Sequence, residues 1–233
     1  NLSTGFAGLD TVTVMLDGQN VRNHYGYALD GNNDGEGGDD LVYQYEIGIV
    51  ADFNADGMIS GIDLNEFVSS WSVDQHANEL GPYTGTLPNV LVHPDGVFDI
   101  EDLMSFVLMG NWYLSGHGVM VSNTIINGPE IEHVVGKDSI LIDLPEGTRA
   151  YDMQIIHGQD IILGEISKDE DDIFIIQKDK EGGVLNVIAE HGGKDPISLS
   201  YEIHSDKTVV QLYVQVYGEE GNVISNLMES IEI

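Results

Sequence analysis

The stretch DFNADG at 52–57 sets oxygen-bearing side chains at alternate positions and then a glycine, and a helix pattern follows within five residues. Carboxylates packed this closely repel one another unless a turn separates them or a cation gathers them. With Asp52 as position 1, Asn54, Asp56 and Ser60 fall at 3, 5 and 9, and Asp63 falls at 12. Met58 offers its carbonyl at 7, and Gly57 occupies position 6, where the chain must turn sharply. This is the ligand spacing of a twelve-residue calcium loop, whose oxygens suit a hard cation. The rival reading is an acidic, Asx-rich turn. Leu64, Phe67, Val68 and Trp71 then mark one apolar helix stripe, and Ile59 at position 8 is expected to make a short β contact with a partner loop.

The same block recurs downstream. PDGVFDIEDLMSF aligns on ADGMISGIDLNEF, so Asp95, Val97, Asp99 and Asp102 repeat the roles of Asp56, Met58, Ser60 and Asp63. Positions 1 and 3 of this second loop fall on Leu91 and His93, which are poor ligands for a hard cation. A second calcium therefore needs oxygens from the linker or from water, and Glu79 is one candidate donor. Upstream, DGNNDG repeats the rhythm with Asp30, Asn32 and Asp34, and Asp39 or Asp40 is placed to close it. No helix pattern follows there, so a third calcium competes with a plain hairpin loop.

With Asp rather than Glu at position 12 and DLNEF directly behind it, residues 49–116 resemble a dockerin, the calcium module of cellulosome-type assemblies. That resemblance implies an EF-hand-like loop–helix pair, bound calcium and a cohesin-like protein partner. Two features depart from the family: the linker between repeats is long, and positions 10 and 11 are Gly61–Ile62 and Ile100–Glu101 rather than Ser–Thr. The stretch YALDGNNDGEGGDDLVYQYEI resembles the end of a bacterial Ig-like domain. KDSILIDLPEGTRAYDMQII and VVQLYVQVYGEEGNVISN are similar to the first and last strands of cohesin-like sandwiches.

Three segments are expected on these grounds. Residues 1–48 read as strands DTVTVML and DLVYQYEIGI around a polar loop, the C-terminal part of an Ig-like domain. Residues 49–116 hold two helices, with 72–90 as loop. Residues 117–233 read as six strands, DSILIDLP, YDMQIIH, DIFIIQKD, GVLNVIAE, ISLSYEI and TVVQLYVQVYG, bounded by turn signals, a cohesin-like antiparallel β-sandwich. The fold class is thus mainly β with a small α module.

Charge narrows the partners. The chain carries 40 acidic residues against eight Lys and Arg, a net charge of −32. Only Arg22 is basic before residue 117. Binding nucleic acid or an anionic membrane surface needs clustered Lys and Arg, so the acidity argues against both as partners. The chain has no cysteine, hence no disulfide or thiolate site. No apolar run is long enough for a membrane span, and the opening NLSTGFAGLD reads as the middle of something longer.

Signals for catalysis are absent from the pattern. There is no H-E-x-x-H or G-x-S-x-G, the eight histidines are scattered, and Gly193–Lys194 reads as a turn rather than a phosphate loop. The acids at 169–172 read as a solvated turn. Trp71 and Trp112 end helix patterns and read as core. The expectation is a non-catalytic, calcium-stabilised, secreted or surface-displayed bacterial module for protein–protein assembly, bound to a cohesin-like partner or to another copy of itself. Alternatives are a carbohydrate-binding tail of a secreted polysaccharide hydrolase and a self-assembling surface-layer or filament subunit.

Overall fold

The structure is a computed structural model that describes residues 5–73, 76–119, 126–167, 174–178, 183–191, 195–204 and 208–233. The chain opens with an antiparallel ribbon of β1 (Thr11–Leu16) and β2 (Leu41–Glu46), in which Thr11 faces Glu46 and Leu16 faces Leu41. Next come α1 (Gly61–Ser72), a 3-10 turn at His76–Asn78, a hairpin of β3 (Tyr83–Thr86) and β4 (Asn89–Val92), and α2 (Ile100–His117). Among the described residues nine strands follow: β5 (Glu132–Val135), β6 (Ser139–Asp143), β7 (Ala150–Ile156), β8 (Ile161–Ser167) and β9 (Phe174–Lys178), then β10 (Val184–Glu190), β11 (Ile197–Ile203), β12 (Val209–Tyr217) and β13 (Val223–Glu232).

These nine strands form two antiparallel sheets, β13-β12-β7-β10-β9 and β5-β6-β11-β8. Their inner faces meet in one core. Met153, Ile155, Leu185, Val187, Leu212 and Val214 from the first sheet pack with Ile140, Ile142, Leu163 and Leu199 from the second. The mainly-β class and the C-terminal sandwich expected from the sequence are what the chain adopts. The strands β5, β8 and β13 add to the six that alternation marks, and the hairpin β3–β4 forms inside a stretch expected to be loop.

The five-stranded sheet is covered on its other face too. α1 lies against β7 and β10, and α2 lies against β9. A second core joins Leu64, Phe67, Phe98, Phe106, Met109 and Tyr113 to Ile175 and Ile188 of the sheet. Burial on both faces explains why β10 reads VLNVIAE instead of alternating: Leu185, Val187 and Ala189 enter the sandwich core, while Ile188 enters the helix core. The helix can approach this closely at Gly110, where a Cβ would meet Ile175 Cδ1 at 2.7 Å.

Both helices start at the end of an acidic loop and are fixed by the same device. Ser60 caps α1 with Asp63 returning to the cap N–H, and Asp99 caps α2 with Asp102 doing likewise. Inside, Phe67 and Phe106 stack with centroids 5.0 Å apart, and Phe53 lies 6.0 Å from Phe106. Both side chains are fully buried, a stabilisation of about 2–3 kcal/mol each. The periodic pattern over 100–109 continues to His117, because Tyr113 and Leu114 stay on the buried face and Gly118 closes the helix at φ 67°. Trp71 packs edge-on against Phe67 at 5.8 Å, and Trp112 packs against the same core. Ile59 is buried at 2% exposure but, among the described residues, takes part in no isolated β-bridge; the loops are joined by aromatic packing instead.

Candidate metal-binding loops

The first loop is built by side-chain carboxylates accepting from its own backbone. Asp52 Oδ1 accepts from the Asp56 N–H at 3.1 Å and its Oδ2 from Gly57 at 2.9 Å. Asn54 Oδ1 also accepts from Asp56, at 3.0 Å, and Asp56 Oδ1 accepts from Met58 at 2.9 Å. The loop is closed by Asp63, which is fully buried and accepts from Phe53 at 2.8 Å and Ser60 at 2.9 Å. Gly57 sits at φ 86°, a backbone conformation that glycine alone adopts without penalty.

The upstream loop repeats the turn at 52–58 bond for bond. Asp30 accepts from Asp34 at 3.1 Å and Gly35 at 2.8 Å, Asn32 from Asp34 at 3.0 Å, and Asp34 from Glu36 at 2.8 Å. Asn33 and Ala55, at matching positions, both take left-handed backbone with φ 64° and 58°. Asp39 is the residue that joins: carboxylate oxygens of Asp30, Asp34 and Asp39 lie within 4.8 Å of one another. Asp40 is engaged elsewhere, accepting from Gly18 at 3.0 Å. Among the described residues this is the one triad of His or acidic side chains that converges so tightly, so loops one and two hold their carboxylates further apart.

The second loop keeps the downstream half of the pattern. Asp95 accepts from Val97 at 2.9 Å, Asp102 accepts from Asp99 at 2.8 Å, and Gly96 sits at φ 85°. Leu91 and His93 are not loop positions at all: Leu91 pairs with Thr84 in the hairpin, and His93 Nε2 lies 2.8 Å from Thr84 Oγ1.

Electrostatics separate the loops. Burial pushes the Asp63 carboxyl up to about 6, against hydrogen bonds from Ser60 and Phe53 that lower it and the nearby Asp52 charge that raises it. Burial also raises Asp52. Asp34 goes the other way, lowered chiefly by the Glu36 N–H and then by the Asn32 amide. All the donors are carboxylate, amide, hydroxyl or carbonyl oxygens, the chemistry of a hard divalent cation.

One contact beside the first loop has no counterpart in sequence reasoning. Asp152 on β7, 1% exposed, accepts from the Gly61 N–H at 2.8 Å and from the Tyr217 hydroxyl. Burial lifts its pKa to about 7, with the Asp63 and Asp56 charges adding to the rise. A sandwich carboxylate thus holds the first peptide of α1, next to the end of the first loop. The only sequence signal is a charged residue inside a mostly apolar strand.

No family model matches this sequence, and no curated protein does either. Among solved structures, a non-cellulosomal cohesin from the hyperthermophilic archaeon Archaeoglobus fulgidus shares 11% identity with a TM-score of 0.31, over 44% of this chain and 83% of that one. The DsbD N-terminal domain of Neisseria meningitidis, in its reduced form, shares 17% with a TM-score of 0.22, over 44% and 82%. At such scores neither likeness bears on function. No helix among the described residues is long and apolar enough to cross a membrane.

Proposed function

We propose that this chain is a non-catalytic, calcium-stabilised module that serves protein–protein assembly or attachment at the bacterial cell surface. The observation that carries the reading is the first loop: ligand spacing, glycine turn and buried closing Asp63 agree, and they deliver the chain directly into a capped helix. Calcium's role is structural. Three carboxylates in one loop cost free energy when unpaired, and a divalent cation reverses that cost. With calcium near millimolar and a Kd on the order of 10⁻⁴ M, each ion adds about 1–2 kcal/mol of stability.

The loop–helix pair is read as dockerin-like and the sandwich as cohesin-like, from sequence pattern. The partner is then a cohesin-like protein or a second copy of this chain. The carbohydrate-binding alternative needs aromatic rings displayed on a sandwich face. Tyr151, Tyr201 and Tyr217 lie in the interior instead, at 0%, 4% and 3% exposure, which weighs against it. The side chain of Phe174, the acids at 169–172 and the Gly193–Lys194 turn lie outside the described residues.

The test is thermal unfolding followed by circular dichroism, in calcium and in excess chelator, with solution mass measured in both. A fall in melting temperature of several degrees on chelation supports the structural ion. Unchanged helix content and melting would refute it. Growth beyond one chain only in calcium selects self-assembly over a separate partner.

A further inference from the structure

The second loop is complete once the hairpin β3–β4 is seen as an insertion. In the first loop, Asp52 accepts from Gly57, and the next residue's N–H, that of Phe53, reaches the closing Asp63 Oδ1 at 2.8 Å. In the second, Glu79 Oε2 accepts from Gly96 at 3.2 Å, and the next residue's N–H, that of Leu80, reaches the closing Asp102 Oδ1 at 2.7 Å. Four bonds around the turn have their counterparts, those from Gly57, Phe53, Met58 and Ser60 matching those from Gly96, Leu80, Val97 and Asp99, with Glu79 in the place of Asp52 and Gly81 in the place of Asn54.

Spacing agrees with geometry. Asp52 precedes Asp56 by four residues, whereas Glu79 precedes Asp95 by sixteen, so twelve residues have been inserted. Skipping 82–93, which spans the hairpin, leaves ELG joined to PDGVFDIED, a twelve-residue loop with Glu79 at position 1 and Asp102 at position 12. The insertion is anchored away from the loop: the Val90 carbonyl accepts from Gly8 at 2.9 Å, and Asn89 donates to the Gly8 carbonyl at 3.0 Å.

An independent feature points to a ligand. Glu79 is 5% exposed, and its Oε1 is buried without a hydrogen-bond partner. The imidazole Nδ1 of His76 stands 3.4 Å from that oxygen, on a side chain that is 45% exposed. A buried carboxylate oxygen with no donor costs free energy, and a cation in the loop would remove that cost.

Resting on the calcium reading above, we infer that Glu79, Asp95, Asp99, Asp102 and the Val97 carbonyl form a second divalent-cation site, split by a twelve-residue hairpin, with Glu79 as its first ligand.

Calcium chloride is titrated into the full chain by calorimetry, with ions counted by native mass spectrometry. Glu79→Gln is expected to lose one ion relative to wild type, and Asp52→Asn a different one, so the double variant loses two. His93→Ala is expected to lose none. An ion count unchanged in folded Glu79→Gln overturns the inference and leaves the calcium reading standing. A wild-type chain that takes up no calcium overturns both. If Glu79→Gln does not fold, a wild-type structure determined in calcium decides. Glu79 Oε1 at roughly 2.3–2.6 Å from an ion supports the site. An ion without Glu79, or none in this loop, refutes it.

Discussion

The loops at 30–39 and 52–63 share their turn and differ in everything around it. Five hydrogen bonds repeat within 0.1 Å, including the Asn32 and Asn54 amides donating to Asp34 at 3.0 Å and Asp56 at 2.9 Å. One loop then closes with a fully buried aspartate that completes the capping box of a helix; the other closes with half-buried Asp39 and continues into an exposed ribbon. The six-residue sequence dictates the turn. Stability is set by what the closing carboxylate is packed against.

The largest effect expected from this contrast is on removing the closing residue. Asp63→Ala strands the Phe53 and Ser60 N–H groups in a buried setting, at a cost of about 2–5 kcal/mol. Asp39→Ala, by contrast, changes stability by no more than about 0.5 kcal/mol. Urea unfolding in chelator measures both without a contribution from bound ions. Equal losses in the two variants would break the comparison.

The next effect is on pH, again without calcium. Asp152 titrates near 7 and Asp63 near 6 in the folded chain, against an ordinary value of 3.8. The folded state therefore holds protons that the unfolded state releases. Stability from this source is complete below about pH 4 and is lost as pH rises through about 6 and then 7. Asp152→Asn keeps an oxygen for the Gly61 N–H and removes the ionisation, so the upper part of the slope flattens. Asp56, Asp63 and the Tyr217 hydroxyl face the same group, and an unchanged slope would show that Asp152 is not its source. Tyr217→Phe removes a hydrogen bond from Asp152, and is expected to cost about 1–2 kcal/mol at pH 5 in the same urea series.

The starts of both helices were legible because cap, closing Asp and apolar stripe coincide in a few residues. The split of the second loop was not, since Glu79 lies sixteen residues before Asp95 and the intervening Pro and Gly read as loop. The register of twelve that survives skipping the hairpin was the available signal. β8 breaks its apolar pattern at Gly164, which sits against Ser200 beside an irregularity in β11. β13 mixes Asn, Ser and Glu with its apolar residues because it is an edge strand with one wet face. Asp152 shows the limit: a buried carboxylate is defined by the N–H it meets, 91 residues away in sequence.

The smallest effect separates the two loops by their competition with protons. Asp52 and Asp63 are both shifted upward, so acid removes charge from the first loop before it touches Asp34, which is shifted downward. A carboxyl near 6 is about one-tenth ionised at pH 5, so calcium affinity at the first loop should fall roughly tenfold between pH 7.5 and pH 5. The upstream loop should change by no more than about threefold. Calcium titrations at the two pH values read this directly, and Asp34→Asn identifies the pH-insensitive event by removing it. Loss of the acid-sensitive event in Asp34→Asn instead would show that the shared turn, and not the burial behind it, controls the ion.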